Sequence, residues 1–425
     1  MNNNKIKLKD AISIGIGGMV GGGIFAVLGL SVSLAKGGVP ISFLVAGIIA
    51  LLTAYSYSKL SIAYPDKGGT VRFINEGFGF GVFSGGLNNL LWVSYVIMLS
   101  LYSTAFGSYA SSLITITGNI EVDRHILITS IIVICTVINY YSIKVVGQVE
   151  SIAVIIKLVI LFVFVIAGFW GISSNPNIGQ LAMENWESPI QLLAGGMVIF
   201  VAYEGFELIA NSAPDIANPT KNIPRAYYIS VAFVICLYLA IAIVTVGSLA
   251  FEDIASAQDY VLAEAAKPKF GQVGFGVISI AAMISTFSAI NATLLGGSRV
   301  NYEVAEVHEL PAELTKMLWG KPVVLLLIAV FTIIVANTID LESISTSGSA
   351  GFLMIFAMVN YVAFKKSNEI NAKKLIALSA FLLCLAAFTV LVIQQFQSNL
   401  SGILIALSIF SLCFVGEWVF KKMNS

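Results

Sequence analysis

The sequence predicts an all-α protein that crosses a membrane many times, on three observations. Of its 425 residues, 58% are hydrophobic and only 11% charged, against about 25% charged in an ordinary soluble domain. The apolar residues gather into stretches of about 20, the length that a membrane span requires. The first stretch is interrupted by a run of glycines. A soluble fold of this size needs a larger polar surface, whereas lipid accepts an apolar exterior. Formal net charge is zero, so composition gives no electrostatic footprint for a nucleic-acid partner. Cys135, Cys236, Cys384 and Cys413 fall in apolar runs and are expected to be free, buried thiols. His125 and His308 lie far apart in polar connections. No metal-ligand spacing appears, and no cofactor is expected.

Twelve spans follow in order, at roughly 10–35, 40–63, 80–113, 125–142, 148–170, 189–212, 226–250, 271–297, 320–337, 344–364, 374–394 and 400–420. Lys5, Lys7 and Lys9 precede the first. That charge pattern fits a signal-peptide n-region, but no small-residue cleavage site follows and the apolar run outlasts an h-region, so it reads as a retained span. An even number of crossings puts both termini on one side. Eighteen of the 23 basic residues fall on that side, four on the other (Lys36, Arg124, Lys267, Lys269), and Lys157 lies inside span 5. The positive-inside rule then places both termini in the cytoplasm, and the cell membrane is the expected location. The larger external connections, about 171–188 and 251–270, are modest. The internal connection 299–319 carries Glu303, Glu306 and Glu309 and has room for a short amphipathic helix. The chain reads as one transmembrane domain, 1–425.

Span 1 contains Gly17-Gly18-Met19-Val20-Gly21-Gly22-Gly23-Ile24-Phe25. Each glycine costs about 1 kcal/mol in a helix interior relative to alanine, so three in a row favour local unwinding. Unwound backbone inside a bilayer is tolerated only where it lines a cavity or is buried in protein. The following half-helix offers N–H donors to an anion, and the freed carbonyls can accept from an ammonium or coordinate a cation. A zwitterionic amino acid meets both needs. The competing reading is close helix packing through Gly17/Gly21 and Gly18/Gly22.

Span 6 has a matching irregularity in Gly195-Gly196 through Tyr203-Glu204-Gly205-Phe206-Glu207. A charge at mid-membrane costs roughly 2.5–3.5 kcal/mol on insertion scales, so the two acids need a cavity or a partner. The alternative is that they lie near a membrane surface. Glycine-interrupted helices five spans apart point to an inverted-repeat transporter with its site at the repeat interface. Lys157, in span 5, either snorkels to an interface or titrates. Burial disfavours its ammonium while carbonyls or a carboxylate favour it, and a balance of the two lets the proton leave when the surroundings change. In span 8, Ser285, Thr286, Ser288, Asn291 and Thr293 can receive that ammonium, receive a sodium ion, or satisfy local carbonyls.

These residues resemble the amino acid–polyamine–organocation superfamily of permeases, over nearly the whole chain. Gly21-Gly22-Gly23-Ile24-Phe25 is similar to the signature of the family's first helix, and Tyr64-Pro65-Asp66-Lys67-Gly68-Gly69-Thr70 to its loop after helix 2. The most specific stretch runs from Phe206-Glu207 through Asn218-Pro219-Thr220-Lys221-Asn222-Ile223-Pro224-Arg225-Ala226. Asn291-Ala292-Thr293 through Arg299 and Leu310-Pro311 resembles the end of helix 8 and its loop. The resemblance implies a five-plus-five inverted repeat like that of sodium-coupled leucine transporters, with repeats at about 8–170 and 188–366 and two extra helices at about 371–420. It implies that the N–H groups of Gly21, Gly22 and Gly23 bind a carboxylate, and that the carbonyls of Met19, Val201, Ala202 and Glu204 bind an amino group. By the same resemblance, Lys157 falls where a proton-coupled archaeal permease has a lysine in place of a bound sodium ion. Glu207 falls where some members carry a pH-sensitive glutamate.

Three positions depart from the family's pattern. Gly22 stands where many members have serine, and His308 where an aspartate is common. Glu204 is acidic at a backbone-contact position, which favours cationic substrates if its side chain faces the site. The expected function is proton-coupled amino acid uptake by alternating access, with Lys157 bridging span 1 to Ser285 and Ser288 of span 8. An exchanger of amino acids or amines, a sodium-driven carrier, and a non-transporting sensor or subunit are the alternatives. No nucleophile–base cluster or metal set suggests an enzyme.

Overall fold

The computed structural model describes residues 5–141, 143–172, 176–306, 317–318 and 321–424. Among these, eight helices are long and apolar enough to cross a membrane, or ten if each of two bent pairs makes one crossing. The eight are α3 (Val39–Ala63), α5 (Val82–Ser111), α7 (Ile143–Ile172), α10 (Pro219–Ser248), α13 (Lys267–Glu306), α15 (Leu341–Lys365), α16 (Lys374–Ser398) and α17 (Leu400–Asn424). The first bent pair is α1 (Leu8–Met19) with α2 (Gly23–Ala35). The second is α8 (Pro189–Val198) with the 3-10 turns of Phe200–Glu207 and α9 (Leu208–Asn211). Two more helices, α6 (Ile120–Tyr141) and α14 (Val323–Thr338), stand where the sequence places spans 4 and 9.

The connections hold more structure than their composition announces. The loop after α3 folds into α4 (Thr70–Phe78), and the one after α10 into α11 (Phe251–Ser256) and α12 (Val261–Glu264). Helix α4 buries Val71, Phe73 and Ile74 and leaves Arg72 outside. It starts at Gly69, whose φ of +50° suits glycine, and a Cβ there would stand 2.1 Å from Asn211 Oδ1. Residues Met317–Leu318 and Lys321–Pro322 form a two-residue antiparallel pair. The amphipathic helix expected at 299–319 falls largely outside the described residues, as does His308, although α13 runs on to Glu306.

Burial sorts the helices into centre and rim. In the most apolar window of α5, 83% of residues are buried inside the protein, against 22% for α17. The outer faces of the rim helices are apolar, with Ile155, Val159, Ile166, Leu382 and Leu412 all exposed. That is the surface a lipid environment stabilises. Three cysteines are buried as expected, but Cys236 is exposed. An apolar run does not say which side of its helix faces inward, and Cys236 falls on the outer side of α10.

Candidate functional site at the two helix breaks

Both breaks turn the chain by 45°, and they meet at the centre. A Cβ built on Gly205 would lie 2.2 Å from the Gly18 carbonyl carbon, and one on Gly18 would lie 2.6 Å from Gly205 O. Gly23 approaches the Ala202 backbone in the same way, at 2.9 Å. Unwinding and close packing through small residues therefore occur together, because only glycine lets one broken backbone lie against the other.

A helix that stops inside a protein leaves its last carbonyls without partners. Around the end of α1 they are met from four sources. Ile16 O accepts the Val20 N–H at 2.8 Å. Gly17 O accepts from Lys157 Nζ at 3.1 Å. Met19 O lies 2.6 Å from the Tyr238 hydroxyl. Val20 O and Gly21 O lie 3.1 and 2.7 Å from the Ser285 hydroxyl. Lys157 is fully buried although Ile155 and Val159 beside it are exposed, so its side chain turns inward rather than snorkelling. An ammonium at the C-terminal end of a half-helix also complements its dipole. Ser288 is buried one turn beyond Ser285 on α13. No side chain caps the start of α2.

The span 6 break is patched by α15. Val198 O accepts from Ser345 at 2.7 Å and Ser349 at 2.8 Å, and Ser349 Oγ accepts the Val201 N–H at 3.1 Å. Ala202 O lies 3.2 Å from the Tyr238 hydroxyl that also reaches Met19 O. A phenol has one proton to donate, so the two carbonyls share it. Tyr238→Phe is expected to take this shared donor from both and to destabilise the protein by about 1–3 kcal/mol. Thermal unfolding of the purified variant in detergent checks this, and an unchanged melting temperature would contradict it.

The two acids of span 6 are buried in the bundle. Glu207 accepts from Tyr95 at 2.5 Å, Thr70 at 3.0 Å and Tyr57 at 3.4 Å. Glu204 is reached by the Tyr102 hydroxyl at 3.5 Å, and its second oxygen has no hydrogen-bond partner among the described residues. The Tyr102 ring covers the span 1 glycines. A Cβ on Gly22 would stand 2.3 Å from its Cδ1, and one on Gly21 3.6 Å from its Cζ. Glycine rather than serine at position 22 is what admits that ring. Thr70 enters the sequence reading only as the end of the loop after span 2, and Tyr57, Tyr95, Tyr102, Tyr238, Ser345 and Ser349 are absent from the residues that sequence singles out. Only the last two carried a signal, the hydroxyl-rich run Ser343 to Ser349.

Toward the end of the bundle away from the N-terminus, a polar recess of about 410 Å³ lies between α2, α5, α6 and α15. Arg124 pairs there with Asp259 at 3.3 Å, and His125 hydrogen-bonds Asn337 at 2.8 Å. Burial lifts the Asp259 carboxyl above the usual aspartate range, and Arg124 pulls it back. Among the described residues no group of three or more His, Cys, Asp or Glu could hold a metal ion.

Residues 6–415 match a family model described as amino acid permease. An uncharacterised protein of Methanocaldococcus jannaschii is 34% identical, over 94% of this chain and 91% of its own length. The inner membrane transport protein YbaT of Escherichia coli is 32% identical, over 87% of this chain and 86% of its own. Cationic amino acid transporter 7, chloroplastic, of Arabidopsis thaliana is 26% identical, over 84% of this chain and 64% of its own.

Proposed function

Since the chain belongs to the amino acid permease family, and is therefore an integral membrane transporter rather than an enzyme, we propose that it carries amino acids across the cell membrane by proton-coupled alternating access. In this reading the chain crosses twelve times with both termini in the cytoplasm. Its first ten spans form the two inverted repeats, at about 8–170 and 188–366, with the extra helices at about 371–420. The substrate binds where the breaks meet. The N–H groups of Gly21, Gly22 and Gly23 take its carboxylate, as helix N-termini do. The carbonyls of Met19, Val201, Ala202 and Glu204 take its amino group.

The observation that carries the coupling is the buried Lys157 ammonium on Gly17 O at the end of α1. While protonated it ties α7 to the broken helix, and Ser285 ties α13 to the same strand of backbone. Losing the proton loosens one of these ties, because a neutral amine donates more weakly than an ammonium. Transport follows only if the two conformations hold that proton with different affinity. An ammonium on this carbonyl also argues against sodium at the same place. Glu207, held by hydroxyls from α3, α4 and α5, is the second candidate for a coupled proton.

Proteoliposomes under an imposed inward proton gradient test the reading. Labelled amino acid is expected to accumulate above equilibrium without sodium, and a protonophore is expected to abolish the accumulation. Uptake that ignores the gradient and requires amino acid inside the vesicle would make the protein an exchanger instead.

A further inference from the structure

Two carboxylates sit three residues apart in one 3-10 segment, and the fold treats them differently. Glu207 has hydroxyl donors from three other elements. Glu204 is 4% exposed, has one long contact to Tyr102, and keeps an oxygen without a donor among the described residues. A carboxylate in that setting is unfavourable unless a cation or a proton reaches it. The same Tyr102 ring that extends to Glu204 lies on Gly22 and close to Gly21. Glu204 therefore stands one phenol ring away from the glycines of the span 1 break.

We infer that the Glu204 carboxylate receives a second positive charge on the substrate, so that the protein selects amino acids or amines bearing an alkylammonium or guanidinium group. This rests on reading the two breaks as the substrate site. An ammonium brings three N–H donors and a guanidinium five, and either supplies both the charge and the hydrogen bonds that Glu204 lacks. The four-carbon stem of a lysine would run past the Tyr102 ring while its backbone groups stay on the breaks. A neutral side chain would bury against the carboxylate without offering a donor, and sites built this way discriminate strongly against such analogues.

Equilibrium binding by the full-length protein in detergent tests this without any gradient. The probes are lysine, ornithine and arginine, the diamines putrescine and cadaverine, and alanine and leucine. The cationic probes are expected to raise the melting temperature at concentrations where alanine and leucine do not. Diamines matching lysine would assign the recognition to the ammonium alone, whereas lysine exceeding them would assign it to a cationic amino acid. Glu204→Gln is expected to lower the cationic-to-neutral affinity ratio by about tenfold or more, and Glu204→Asp to restore part of it. A wild-type preference for neutral amino acids, or an unchanged ratio in Glu204→Gln, overturns the inference and leaves Glu204 as a protonated structural acid. Neutral amino acids that bind and accumulate would sink the inference while the transport reading stands. If no probe binds, both fall. Should Glu204→Gln fail to fold, the wild-type order of affinities decides.

Discussion

Lys157→Ala is expected to reduce gradient-driven accumulation to the level of protein-free vesicles while the purified protein still binds substrate. The variant removes the ammonium from Gly17 O, and with it the group proposed to carry the coupled proton. Couplings between two ligands on one protein are typically about 1–3 kcal/mol, or roughly 5–150-fold in affinity, and that factor sets the size of the expected loss. Lys157→Arg sharpens the test. A guanidinium keeps the charge but does not deprotonate, so it is expected to hold α1 to α7 permanently and abolish transport as well. Binding without accumulation in both variants supports the coupling role. Full accumulation by Lys157→Ala would end it.

Gly205→Ala is expected to be a severely damaging single-methyl change. Its Cβ would fall on backbone, 2.2 Å from Gly18 C and 2.4 Å from Met19 N. No rotamer change can relieve a backbone contact, so the two broken helices must separate. Overpacking commonly costs about 1–3 kcal/mol, and here the carbonyls shared by Tyr238 are displaced too. The expected result is a clear drop in folded yield and melting temperature together with loss of uptake. Gly276→Ala is the control. Nothing lies within 4 Å of its built Cβ, and alanine is favoured over glycine in a helix by about 1 kcal/mol, so that variant is expected to melt no lower than the parent.

Sequence reveals the parts of this site that are locally abnormal. Three consecutive glycines, a lysine inside an apolar run and two acids in another are each hard to reconcile with an ordinary span, and all of them lie at the site. It does not reveal the residues that complete the site. Tyr238 is one aromatic among many in apolar segments, and only the packing of α10 against both breaks brings its hydroxyl to Met19 and Ala202. Tyr102 is silent for the same reason. The contact between Gly18 and Gly205 joins residues far apart in the chain, and spacing within one helix cannot name a partner in another. The inward turn of Lys157 needed the helix's orientation as well as its sequence. Cys236 shows the converse, since an apolar neighbourhood did not place its side chain inside.

The three hydroxyls around Glu207 carry a consequence for speed. They belong to Tyr57 on α3, Thr70 on α4 and Tyr95 on α5. A rigid movement of span 6 against those helices cannot loosen one of these bonds and keep the rest, because all three end on the same carboxylate. The resting arrangement should therefore give way in a single step rather than by gradual drift. The height of that step, more than the grip on the solute, would then be what limits how often the molecule completes a cycle.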